Sequence, residues 1–218
     1  MNQVDSVYCI NLRRRRDRLS RFLERFPATW YPKLRIFGAV DGANHELSAS
    51  ERLALRNADW PIERGRGQWG CSFSHEQIWR SIIAKKIEYA VVLEDDATLT
   101  GDPALFETLI QSVEDSRIPL VFLGPSNHPE NTPSRPHCFT NLVAPGICRI
   151  QSNLGTMSYL ITRAGAADLL KIIDERGHYR AIDQLINDYL KSRDAWYCSA
   201  PPLFSVDPDA GSDIQIRR

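Results

Sequence analysis

Glu94, Asp95 and Asp96 stand side by side after the apolar run Tyr89-Ala90-Val91-Val92-Leu93. Three adjacent carboxylates repel one another, and burying them unpaired costs on the order of several kcal/mol each. Such a group is stable when it is solvated at a strand end. It is also stable when it holds a hard cation that takes oxygen ligands, such as Mg2+ or Mn2+. The stretch Ala90 to Leu93 is apolar without alternation, which predicts a central strand covered on both faces. Carboxyl ends of strands in open α/β sheets are where ligands bind. The other reading is an acidic turn that closes a strand, and the local spacing does not separate the two.

Further groups could share chemistry with these acids. Arg13-Arg14-Arg15-Arg16-Asp17-Arg18 follows a first strand, either as a solvated helix face or as a cradle for an anion such as a diphosphate. Asp41, in Asp-Gly after a second strand, is placed to accept hydrogen bonds from a ribose or a base, or simply closes a turn. His75 shares a helix face with Trp79, four residues on, and is either a satisfied structural histidine or a contact to a bound phosphate or base. Asp183 opens a late helix, as a cap or as a candidate base. Asp207, Asp209 and Asp213 follow in the tail.

The elements that must position them alternate. Ser6 to Leu12 reads as a strand, followed by an amphipathic helix carrying Leu19, Phe22, Leu23 and Phe26. Leu34 to Gly42 is a second strand. Ser48, with Glu51 three residues on, caps a short helix to Arg56. Arg64-Gly65-Arg66-Gly67 reads as a flexible basic loop, and Ser72 or Ser74 as the cap of a helix to about Lys85. After the acidic strand come a helix over Leu105–Val113 and a strand over Ile118–Gly124. Pro125 to Pro145 reads as a long irregular loop, a candidate lid containing His128 and His137. Strand 155–162, helix 163–173, helix 181–190 and a returning strand 196–204 complete an α/β pattern expected to form one domain over residues 1–218.

Composition narrows the class. With 27 basic and 27 acidic residues among 218, no net field favours non-specific nucleic-acid binding. No apolar run reaches the roughly 18 residues a membrane span needs. No signal pattern opens the chain, so the expected location is cytoplasmic, with peripheral contact at the inner face of a membrane left open. Five scattered cysteines without a Cys-x-x-Cys pair predict reduced, mostly buried thiols rather than structural zinc.

Taken in order, the motifs resemble those of the glycosyltransferase family 25 enzymes, the lipooligosaccharide and collagen galactosyltransferases. The matching pieces are Tyr8-Cys9-Ile10-Asn11-Leu12 with Arg14, Asp17 and Arg18; Gly38-Ala39-Val40-Asp41-Gly42; Gly70-Cys71-Ser72-Phe73-Ser74-His75 with Trp79; Leu93-Glu94-Asp95-Asp96-Ala97; Gly155 to Thr162 with Gly165-Ala166; Ile182-Asp183; and Ser212-Asp213-Ile214-Gln215. Each is weak alone, while the ordered set spans nearly the whole chain. The resemblance implies a GT-A-type α/β fold with a mostly parallel sheet, a UDP-sugar donor, Mn2+ or Mg2+, and inverting transfer, with galactose the first candidate, to a hydroxyl of a glycan or other acceptor. It implies a nucleotide-sugar site drawn from Asn11, Arg14, Arg18, Asp41, Ser74, His75, Glu94, Asp95 and Gly155. Metal ligands would be Asp96 and Asp95, with Asp213 from the tail. Inversion needs a base across the cleft from the metal, and Asp183 is the choice, ahead of Asp207, Asp209 and Asp213. The family pattern offers no motif for the loop 125–145 and little after Gln215, so the acceptor stays open.

Two other classes fit parts of this pattern. A nucleotidyltransferase would also use paired carboxylates on a metal, but the Gly-rich phosphate loop it usually brings near its N-terminus is not visible. A non-catalytic nucleotide-sugar or partner-binding domain could keep the same fold.

Overall fold

The computed structural model describes residues 4–125, 142–150 and 153–211. Its main sheet is built from β1 (Ser6–Asn11), β2 (Leu34–Gly38), β3 (Tyr89–Glu94), β5 (Leu120–Phe122), β6 (Leu142–Ala144), β7 (Ile147–Arg149), β8 (Ser158–Thr162) and β9 (Tyr197–Ser199). The order across it is β2-β1-β3-β8-β5-β9-β7-β6. A second, two-stranded antiparallel sheet joins β4 (Ala97–Leu99) to β10 (Phe204–Val206). The helices are α1 (Arg16–Arg25), α2 (Ala49–Ala54), α3 (Arg66–Ala84), α4 (Leu105–Asp115), α5 (Arg163–Arg176) and α6 (Ile182–Ser192).

The α/β class is as expected, and the sheet is mixed rather than mostly parallel. The pairs β1–β2, β1–β3 and β5–β9 are parallel, whereas β3–β8, β5–β8, β7–β9 and β6–β7 are antiparallel. The strand carrying Leu160 runs opposite to its neighbours, and period and composition carry no sign of direction. Register brings the carboxyl ends of β1, β2 and β3 to one edge, with Ile10 opposite both Phe37 and Glu94. Because β8 is antiparallel, its start lies at that edge too. Ser158 pairs with Leu93, and Glu94 donates its backbone N–H to Met157 at 2.8 Å.

Both faces of β3 are covered, as its apolar run predicts. Ala90 and Val92 face a core shared with α3, α5 and α6, and Val91 and Leu93 face a second core shared with α1 and α4. Trp30, Phe106 and Phe204 meet in that second core, the first two with ring centroids 4.5 Å apart. This packing fixes β10 and draws the tail back beside the acidic strand, where Asp207 donates its N–H to the carbonyl of Asp96 at 2.7 Å.

Two sequence-based boundaries move. Helix α3 begins at Arg66, through the stretch read as a loop, because its glycines serve packing. A Cβ on Gly70 would lie 2.6 Å from the carbonyl oxygen of Val40 and 2.9 Å from the nitrogen of Gly42. Glycine here lets the helix touch the turn after β2. Residues 142–144, read as the end of the long loop, form strand β6, which turns at Gly146 (φ +74°) into β7. Pro125 is described. Most of the expected lid, with His128 and His137, lies outside the described residues, as does Asp213.

Candidate active site

A cleft of about 280 Å3 opens at the carboxyl ends of β1, β2 and β3. The turn after β1 contributes Arg14, the turn after β2 contributes Asp41, and β3 and the turn after it contribute Glu94, Asp95 and Asp96. The entry to α3 contributes Arg64, Arg66 and Gly67, and the body of that helix adds Cys71 and Ser74.

The three carboxylates have different environments. Asp95 turns inward, where Asn11 Nδ2 donates to its Oδ2 at 2.6 Å and Arg18 pairs closely with its Oδ1. Asp96 is 3.0 Å from the same guanidinium through Oδ2, while its Oδ1 is buried and accepts no hydrogen bond among the described residues. Burial, and then the charge of Glu94, push the Asp96 carboxyl up to about 7, against the pull of Arg18. Burial also raises Asp95, with Arg18 and Asn11 opposing. For Glu94 burial works in the same direction but is outweighed by His75, Thr156 and Arg18, so its carboxyl is held below the usual range. Thr156 Oγ1 donates to Glu94 Oε1 at 2.6 Å.

A buried carboxylate oxygen without a donor, beside a second ionised carboxylate, is costly unless a cation completes it. The oxygen donors of Asp96 and Glu94 therefore fit a hard divalent cation. Asp95, expected as a metal ligand, lines the cleft and is held there by Asn11 and Arg18. Asn11 and Arg18, expected at the nucleotide, are those two groups; Arg18 lines the cleft as well, and Asn11 lies behind it. Arg18 also reaches the carbonyl of Gly211, the last described residue, at 3.3 Å.

Arg14 and Asp41 meet each other, Nε to Oδ2 at 2.9 Å, on the cleft wall. Burial opposes ionisation of Asp41, but Asn44 and Arg14 outweigh it and lower its pKa. Ser74 is fully buried and structural in its bonds: its Oγ accepts from Val40 N at 2.9 Å and donates to the carbonyl of Gly70 at 2.7 Å. His75 is fully buried behind Glu94 rather than open to the cleft, with Nε2 3.7 Å from Glu94 Oε1 and Nδ1 2.7 Å from the Tyr159 hydroxyl.

Asp183 is the second residue of α6, not its cap. Its Oδ2 accepts from Gly155 N at 2.9 Å and its Oδ1 from Gln184 N at 2.8 Å. Gly155 sits at φ +94°, a backbone region that disfavours a side chain. Neither residue is among those that line the cleft. They join it through the next residue, Thr156, and its bond to Glu94. Asp207 faces away, paired with Arg25 at 2.9 Å, and the carbonyl of Asp209 accepts from Arg21 at 3.2 Å.

Sequence reasoning missed three members. Cys71 lines the cleft between the acids; burial raises its thiol pKa, and Glu94, Asp183 and Asp96 add to that. Its position four residues before His75 was the available signal. Thr156 and Tyr159 lay inside a motif read only as a strand. The donor atoms of Cys71, His75 and Glu94 gather within 4.8 Å of one another.

The family model of Glycosyltransferase family 25 (LPS biosynthesis protein) matches residues 4–186, which include every residue that lines this cleft. The chain belongs to glycosyltransferase family 25. It is 30% identical over 178 residues to the probable inactive glycosyltransferase 25 family member 3 of Bos taurus, covering 76% of this chain and 28% of that one. It is 26% identical over 225 residues to procollagen galactosyltransferase 2 of Mus musculus, covering 91% and 34%. This family 25 chain thus spans about a third of the length of the curated relatives it matches. Among solved structures, mouse xyloside xylosyltransferase 1 in its apo form is similar at a TM-score of 0.45 and 11% identity, over 87% of this chain and 70% of that one.

Proposed function

We propose that this family 25 chain transfers a sugar from a UDP-sugar to a hydroxyl of a glycan or other acceptor, with inversion, on a GT-A-type fold and with Mn2+ or Mg2+. Galactose is the first candidate, since several relatives are named procollagen galactosyltransferases. The observation that carries the reading is the buried, unpartnered Oδ1 of Asp96 next to Glu94 at the edge of the cleft.

Asp96 and Glu94 would hold the cation. When bound, it would offset the charge of the departing diphosphate. Asp95, locked by Asn11 and Arg18, keeps the turn rigid so that its neighbours converge. Arg14 and Asp41 would meet the nucleoside half of the donor. Arg64 and the first N–H groups of α3, beside Gly67, would meet its phosphates. In the transfer, the acceptor oxygen bonds to the anomeric carbon from the face opposite the diphosphate. The bond from that carbon to the diphosphate oxygen breaks, UDP leaves, and the acceptor proton passes to a base. Asp183 is the proposed base: each of its oxygens accepts one backbone N–H, which leaves a lone pair on each.

A second reading, a non-catalytic nucleotide-sugar-binding domain, draws on relatives whose names include "inactive". Screening a panel of nucleotide sugars for product separates the readings. Free UDP supports transfer, pyrophosphate would mark a nucleotidyltransferase, and donor binding without turnover would favour the non-catalytic domain.

A further inference from the structure

Trp79, Tyr159, His75 and Glu94 form a line of polar contacts from the core between α3 and β8 to the cleft. Trp79 Nε1 lies 3.0 Å from the Tyr159 hydroxyl oxygen, and His75 Nδ1 lies 2.7 Å from that same oxygen. His75 Nε2 is 3.7 Å from Glu94 Oε1 and has no closer partner among the described residues. Trp79, Tyr159 and His75 are all fully buried.

The donor count settles the direction of these bonds. An indole N–H can only donate. The Tyr159 oxygen therefore accepts from Trp79, and its single hydrogen needs an acceptor. Among the described residues, His75 Nδ1 is the one within reach. Nδ1 is then the acceptor, and the neutral ring carries its proton on Nε2, facing the carboxylate. The opposite tautomer would aim two N–H groups at one phenolic oxygen, strand the phenolic hydrogen, and set a nitrogen lone pair against Glu94. The first arrangement gives the phenolic hydrogen its acceptor and points Nε2–H, rather than a lone pair, toward the carboxylate.

The same count bears on a competing use of this corner. Cys71, His75 and Glu94 lie close enough to hold a metal, and a thiolate, an imidazole and a carboxylate together would suit zinc. That use needs the Nε2 lone pair, which the Trp79–Tyr159 pair assigns to a proton.

We propose that His75 is a positioning residue for Glu94, with its Nε2–H aimed by Trp79 and Tyr159. Thr156 donates to Oε1 of Glu94 and His75 Nε2 lies 3.7 Å from that same oxygen, while Oε2 accepts no hydrogen bond among the described residues and is the oxygen proposed for the ligand. The proposal rests on the reading that Glu94 and Asp96 share a divalent cation. Metal ligands are commonly oriented by a hydrogen-bonded outer layer, and loss of such a partner lowers metal affinity about 10–100-fold.

Two measurements test it. Imidazole 1H–15N NMR on the metal-free protein, which needs no turnover, should report His75 with Nε2 protonated and Nδ1 bare; a protonated Nδ1 with bare Nε2 overturns the proposal. Mn2+ affinity, followed by electron paramagnetic resonance of the free ion, should fall about 10–100-fold in His75→Leu. In His75→Gln, whose amide N–H stands near the Nε2 position, it should recover most of that loss. Equal Mn2+ affinity in all three proteins overturns the proposal, as does one tightly bound zinc lost in both Cys71→Ala and His75→Gln. If His75→Leu does not fold, the NMR result and His75→Gln still decide. A wild-type protein that shows the Nε2–H form yet binds no Mn2+ overturns the functional reading and Glu94's role in it, while the hydrogen-bond order stands.

Discussion

Two largely shielded acidic groups sit on or beside helix α3, and they are built in opposite ways. At the α3–α5 junction, Glu76 accepts from the fully buried His178 at 2.7 Å and from Arg80 at 2.8 Å, and Arg80 also reaches Asp174. Burial alone would raise the Glu76 carboxyl, but His178 and Arg80 overcome it and lower the pKa. At the end of β3, three carboxylates crowd together, only Asp95 and Asp96 pair with the buried Arg18 guanidinium, and Asp96 is pushed up to about 7. The first group is complete within the protein. The second keeps a buried carboxylate oxygen, Asp96 Oδ1, that no described residue completes. A surplus of like charge at a cleft, held in place by the fold, marks a site better than acidity does.

The sharpest way to break this contrast is Asp96→Asn. It removes a surplus charge rather than a packing group, so turnover should fall at least about 10^3-fold, while the melting temperature in EDTA stays equal or rises. Ordinary turnover in the variant would return the cluster to an acidic turn.

Asp183 sharpens the contrast from a third side, as an acid whose oxygens each meet one backbone N–H. As the base, Asp183→Asn should lower kcat by roughly 10²–10⁴-fold with donor affinity nearly unchanged. A variant that melts early but turns over normally would make it a brace for the Gly155 turn.

Glu76→Ala should do the reverse of Asp96→Asn. Leaving the buried His178 ring without its carboxylate should cost about 1–3 kcal/mol in chemical denaturation, with kcat per folded molecule largely kept. Because the folded pKa of Glu76 is lowered, its contribution is present above its unfolded value, near 4.3. It is lost as pH falls through the lower folded value. The stability gap between wild type and Glu76→Ala should therefore close in acid. A gap that widens below that pH would contradict the pairing.

The smallest effect belongs to Asp41→Ala. Removing one wall of the nucleoside side, together with its Arg14 contact, should weaken UDP binding about 10-fold in calorimetry, the worth of one charged hydrogen bond. Unchanged affinity would make Asp41 a turn residue.

Much of this was legible in the sequence where period and burial speak together. The apolar run before Glu94 announced a strand covered on both faces, and Ser48 with Glu51 announced a capping box that forms as expected. The chain could not show which of three neighbouring carboxylates turns inward. That choice depends on Asn11 and Arg18, more than 75 residues away, reaching Asp95 first. Nor could it show that the glycines near Arg66 permit close packing of a helix rather than a loose loop, since both uses look alike locally. His75 was expected at a ligand because it sits near a Gly-rich entry. Helix α3 starts earlier, which places His75 mid-helix and turns it inward to Tyr159.

The central claim is that the β3 carboxylates are completed by a divalent cation in a nucleotide-sugar site. Its most direct test is UDP release from the UDP-sugar that the panel selects, measured on the wild-type protein with excess EDTA and again after Mn2+ is restored. The account predicts that release stops in EDTA and returns with the metal, and equal release under both conditions would contradict it.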